Sequence, residues 1–130
     1  MRPMRPTTKG DQDTMTANEL LQQPTPTTAE MPARIEQINL VAFDVATEIT
    51  TLKDEAACHE EQAVAEASTE SNETKRRTRK CELLRADGFY QETKQQIAAL
   101  ERVHFQLQER AARYRREFRL YVAETMKETL

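Results

Sequence analysis

At 130 residues the chain is the length of one domain, with 38% hydrophobic and 32% charged residues, no Trp and only two Gly. That is too polar for a thick globular core and too regularly apolar for complete disorder. A net charge of −3 points to no class of partner, and no apolar run approaches the length of a membrane span.

Residues 1–32 hold all five prolines (Pro3, Pro6, Pro24, Pro26, Pro32) and the run Thr25-Pro26-Thr27-Thr28. Proline is unsuited to a helix interior and turns the preceding residue toward extended backbone. The segment reads as a disordered leader with at most a helical turn around Ala17–Leu21. Its start, Met1-Arg2-Pro3-Met4-Arg5-Pro6, lacks the apolar centre of a secretory signal. Asp11, Asp13 and Glu19 argue against a mitochondrial transit peptide. The two cysteines, Cys58 and Cys81, mark no disulfide framework, so a reducing intracellular setting is expected.

Pro32 suits the first turn of a helix. The remainder, 33–130, reads as one coiled-coil region of an all-α protein. Over 33–64 a first seam runs through Ile35, Ile38, Ala42, Val45, Ile49, Leu52 and Ala56, then fades at His59 and Ala63. Leu40, Val41 and Phe43 fall off this stripe and widen the apolar face locally, which points to contact with more than one helix or to a better-buried section. The section is acidic, with Arg34 and Lys53 against ten carboxylates from Glu36 to Glu73.

Residues 65–82 lose the seam. Ala65 to Thr74 contains weak helix formers, and Lys75-Arg76-Arg77-Thr78-Arg79-Lys80 follows. With no proline or turn dipeptide here, the preferred reading is one extended, interrupted helix of about 98 residues, roughly 150 Å long at the α-helical rise. The alternative is a reversal near Ser68–Asn72. Gly88 is the only later break signal, and a lone helical Gly is usually tolerated.

The second seam, 83–125, organises the rest. One set of positions holds Leu83, Tyr90, Ile97, His104, Ala111 and Phe118. The set three residues on holds Ala86, Thr93, Leu100, Leu107, Tyr114 and Tyr121. Charged and amide residues fill the gaps. A narrow stripe of this period suits pairing with another helix, and it is read as an intermolecular interface, with closure of an intramolecular hairpin as the alternative. Leu84 beside Leu83 joins the interface set. Bulky aromatics together with Thr93 and His104 favour a heteromeric partner.

Chemistry is poorly represented. Cys58 and His59 are adjacent and point apart on a helix, while Cys81 and His104 stand alone, so no metal site is expected. Paired carboxylates such as Asp54-Glu55 and Glu60-Glu61 have no shaped pocket to tune them. No phosphate loop or nucleophile motif occurs. The sequence therefore implies no enzyme and no cofactor. Lys75, Arg76, Arg77, Arg79 and Lys80 form the one rival signal, a patch for an anionic partner or nucleic acid. No interleaved aromatics accompany it.

From Asn72 onward the chain resembles the intraflagellar transport protein twenty family. The residues are Asn72-Glu73, Leu83-Leu84, Gln95-Gln96, Leu100 and Arg113-Tyr114-Arg115-x-Glu117-Phe118. The 75–80 section departs from the family, which tends to have small residues there. The resemblance implies a non-enzymatic coiled-coil adaptor of transport complex B. It would pair with a longer subunit carrying a calponin-homology domain and help deliver cargo from the Golgi to the cilium or flagellum. The implied pairing seam is Leu83, Leu84, Ile97, Leu100, Leu107, Tyr114 and Phe118. Another small coiled-coil scaffold or tethering subunit is the alternative of the same class.

Overall fold

The computed structural model describes residues 16–129. The first fifteen residues of the expected leader lie outside them. The described chain is all-α, with four helices in order: α1 (Ala17–Gln22), α2 (Met31–Ala67), α3 (Glu73–Ala86) and α4 (Gly88–Thr129). It divides into two compact units. The first joins the chain up to Phe43 with the stretch from Phe105 onward, and the second is Asp44–His104.

The continuous helix expected through 65–82 does not form. α2 ends at Ala67, and the turn that follows contains neither Gly nor Pro. Small polar side chains end it instead. Ser68 Oγ donates to the Ala65 carbonyl at 2.6 Å and Thr69 Oγ1 to that of Glu66 at 3.2 Å. Such bonds compete with the helical ladder for the same acceptors. Asn72 then restarts the helix from extended backbone, its side chain accepting the Lys75 N–H at 2.9 Å. An N-cap of this kind satisfies a donor that otherwise lacks a partner.

The chain therefore folds back, and in the second unit α2 packs along α4. Lys53 Nζ reaches Glu101 Oε1 at 4.0 Å, and Tyr90 Oη donates to Glu60 Oε1 at 2.5 Å. The contact between the two helices is the pair of predicted seams. Val45, Ile49 and Ala56 are buried, and so are Tyr90, Thr93 and Ile97. The first seam does not fade at its end. Ala63 and Ala67 stay buried in phase with it, a continuation in small residues that a search for large apolar side chains passes over.

In the first unit, Ile38, Val41 and Ala42 are buried, as are Leu107, Ala111 and Tyr114. Val41 widens the apolar face as expected and belongs to this core, whereas Leu40 and Phe43, expected to widen it too, are exposed. The described part of the leader is also structured. Thr16 caps α1 by accepting the Glu19 N–H at 3.2 Å, and Leu20 is buried. Arg110 Nη1 holds α1 through the Leu21 carbonyl at 3.1 Å, and Arg34 Nη1 meets the Pro24 carbonyl at 3.4 Å. Pro26 and Met31 are buried as well. The prolines here set the path of a packed strap.

A second break separates α3 from α4 at Asp87, not at Gly88. Asp87 ends α3 in extended backbone (φ −81°, ψ 99°) and caps α4 by accepting the Tyr90 N–H at 3.0 Å. Gly88 has no positive φ, and a Cβ built on it meets nothing within 4 Å. Gly88→Ala should therefore raise stability by a few tenths to about 1 kcal/mol. Urea denaturation of the two proteins checks this, and a loss of stability would show that the glycine is needed.

Candidate interaction surfaces

The predicted partner stripe is largely spent inside the chain. Leu107 is 0% exposed and Tyr114 1%. Tyr90, Ile97 and Ala111 are also buried, and Leu100, His104 and Phe118 are half-buried. Tyr121 and Ala86 are the exposed members of the stripe. Leu83 and Leu84 lie on α3, half-buried and apart from the α4 stripe. In the first seam Ile38, Val45 and Ile49 are buried, with Ile35 and Leu52 half-buried. Pairing with another protein through these positions would require α2 and α4 to part. The physical reason is proximity: the reversal at 68–72 supplies each seam with a partner at very high effective concentration.

The family-like run Arg113-Tyr114-Arg115-x-Glu117-Phe118 is accounted for by local packing. Tyr114 is core. Arg115 Nη2 donates to Asn39 Oδ1 at 3.1 Å, tying α4 to α2. Arg113 lies 5.2 Å from the Tyr114 ring centroid and 3.8 Å from Glu117.

Two adjacent residues of α2 clasp the start of α4. His59 Nδ1 and Asp87 Oδ2 are 2.6 Å apart, and the imidazole stacks on Phe89 with centroids 4.8 Å apart. One turn inward, Tyr90 bonds to Glu60. The Asp87 carboxyl is held below the usual carboxylate range, chiefly by the Tyr90 backbone N–H and next by His59. The Tyr90 phenol is pushed up to about 12 because it donates to the Glu60 carboxylate, which disfavours its ionised form. In the sequence His59 stands out as a candidate metal ligand and as the point where the first seam fades, and Glu60 as solvated surface. No local signal pairs them with residues about thirty positions away. Among the described residues, no group of three His, Cys, Asp or Glu side chains could hold a metal ion. Cys58 and Cys81 are free and exposed.

The basic patch lies on α3, which buries no side chain. Arg77 pairs with Glu73 at 2.9 Å and Arg79 with Glu82 at 3.6 Å, both within the helix. Arg76 Nε donates to the Glu70 carbonyl at 3.1 Å. Lys75, Arg76, Arg77 and Arg79 are exposed, and Lys80 is half-buried.

No protein-family model matches the chain, and no curated protein or solved structure is significantly similar to it. Among the described residues no helix is long and apolar enough to cross a membrane. The surfaces themselves must carry the functional argument.

Proposed function

We propose that this protein is a non-enzymatic helical adaptor, a subunit that joins a larger assembly through the outer surfaces of its paired helices. One observation carries the reading. With the seams already covered, large apolar side chains remain in water: Leu40 is 62% exposed, Phe43 70% and Phe105 59%. Large exposed apolar side chains suit a protein contact, and these three belong to the first unit. The specific form, a ciliary or flagellar transport subunit that pairs with a longer coiled-coil protein and works in the cytoplasm between Golgi and basal body, rests on the resemblance after Asn72.

The test is affinity capture of the tagged full chain from its source cell, with mass spectrometry of what copurifies. Transport-train subunits with one stoichiometric coiled-coil partner are the expected result. Phe105→Glu should lose that partner while keeping wild-type helicity, since the substituted side chain is exposed. A different coiled-coil assembly would retain the adaptor and discard the ciliary role. Full recovery of partners by the Phe105→Glu variant would remove this surface from the proposal.

A further inference from the structure

The second unit carries two surfaces of opposite sign that do not satisfy each other. On α2, Asp44, Glu48, Asp54, Glu55, Glu61 and Glu66 are all exposed. They leave the helix away from the seam positions Val45, Ile49, Ala56 and Ala63. The lone cation among them, Lys53, is turned to Glu101. On α3, Lys75, Arg76, Arg79 and Lys80 follow an i, i+1, i+4, i+5 pattern, which gathers them on one side of the helix. The ion pairs of α3 among the described residues are local, to Glu73 and Glu82. None of the six α2 carboxylates takes part in one.

We infer that the basic face of α3 docks on the acidic face of α2 in a second copy of this chain, and reciprocally, forming a salt-sensitive two-fold dimer. Charge complementarity selects this occupant. A nucleic acid or an acidic protein would satisfy α3 and be repelled by α2, because carboxylates outnumber Lys and Arg over residues 44–104. A basic partner meets the converse difficulty. A second copy offers both signs in one arrangement, and a two-fold axis uses each contact twice. The spacing agrees: Lys75 to Arg79 and Arg76 to Lys80 are four-residue steps of about 6 Å, and Asp44 to Glu48 is the same step. Single exposed ion pairs are weak, so the dimer depends on the whole doubled set. This inference is independent of the adaptor reading.

The test is sedimentation velocity of the full chain over a range of concentrations, at about 0.05 M and about 0.5 M NaCl. A dimer at low salt that dissociates at high salt is expected. Two triple variants decide the contact. Lys75→Glu/Arg76→Glu/Lys80→Glu makes both faces acidic, and Glu55→Lys/Glu61→Lys/Glu66→Lys removes the net negative charge of the six-carboxylate α2 face, leaving only α3 charged. Each alone should be a monomer at low salt with unchanged helicity. Mixed, they should form a heterodimer at least about tenfold tighter than either self-association. A wild-type monomer under all conditions would overturn the inference, and so would a dimer indifferent to salt or triple variants that still dimerise alone. Should a variant fail to fold, the milder Lys75→Gln/Lys80→Gln replaces it, and the wild-type salt dependence still decides. Adding a short DNA duplex tests the rival occupant. Binding that displaces the dimer and is lost in the acidic variant would assign α3 to polyanions instead.

Discussion

Replacing Leu107 with Ala should lower the unfolding free energy by about 2–5 kcal/mol, and replacing it with Asp should abolish the fold. Leu107 has 0% exposure and occupies the centre of the first unit's core with Ile38, Ala111 and Tyr114 also buried. Truncating a fully buried Leu forfeits its transfer free energy and leaves a cavity that the surroundings fill only partly. Small domains are stable by only about 5–15 kcal/mol in total, so the Ala variant spends a large share of that margin. The Asp variant adds a buried, unpaired carboxylate, a cost larger than the margin allows. Urea denaturation followed by circular dichroism at 222 nm measures both. A Leu107→Ala protein within about 0.5 kcal/mol of wild type, the range of ordinary surface changes, would mean that α4 does not pack its stripe inside the chain. The intermolecular reading of the seam would then return.

The second large effect is a displaced tyrosine titration. The chain has three tyrosines, and Tyr90 should ionise near pH 12 rather than near 10, where a tyrosine ordinarily does. Absorbance at 295 nm resolves the step, and Tyr90→Phe should remove it. Glu60→Gln should move the step back toward 10, because the Glu60 bond is the largest cause of the shift. The linkage has a definite sign. A folded-state value raised above the unfolded one contributes stability that is fully present below pH 10 and is lost as pH rises through about 12. Asp87 acts at the other end. Its folded value lies below the ordinary 3.8, so its contribution is present above that pH and is lost as pH falls through the lowered value. Asp87→Asn should flatten the acid limb of the stability curve. If all three tyrosines titrate together near pH 10 while helicity is intact, the clasp between α2 and α4 is absent in solution.

These expectations share a structural cause. Residues about thirty positions apart, His59 and Glu60 with Asp87 and Tyr90, meet because the chain reverses at 68–72. The reversal also consumes the seams that a longer partner was expected to occupy. What is left for recognition is the outside: Leu40, Phe43 and Phe105 in the first unit, the charged faces of α2 and α3 in the second.

Much of this was legible in the residues. A 3-4 spacing of apolar side chains is a local, repetitive signal, and it placed Tyr90, Ile97, Leu107, Ala111 and Tyr114 on one face of one helix. The same signal placed Ile38, Val45 and Ile49 on another. The turn was written less plainly. Ser68, Thr69 and Asn72 are weak local signals against a continuous helix, and their effect depends on what the two arms gain by meeting. Periodicity states that a stripe must be covered; it carries no information about which surface covers it. That choice belongs to the tertiary structure, since a few residues of turn cost little closure entropy beside the apolar area they bring together. The ordering of the proline-containing strap has the same origin. Within residues 24–30 the local bonds form only a turn before α2, with Thr27 Oγ1 donating to Glu30 Oε1 at 2.9 Å and the Glu30 N–H to the Thr27 carbonyl at 3.0 Å. Leu20 and Met31 find burial at either end of them, and Arg34 and Arg110 supply donors to their neighbourhood only once α1, α2 and α4 are assembled. Which faces are apolar and which are charged follows from the residues alone, because those patterns are local. Only the folded chain decided which faces meet, because that depends on contacts between residues far apart in the sequence.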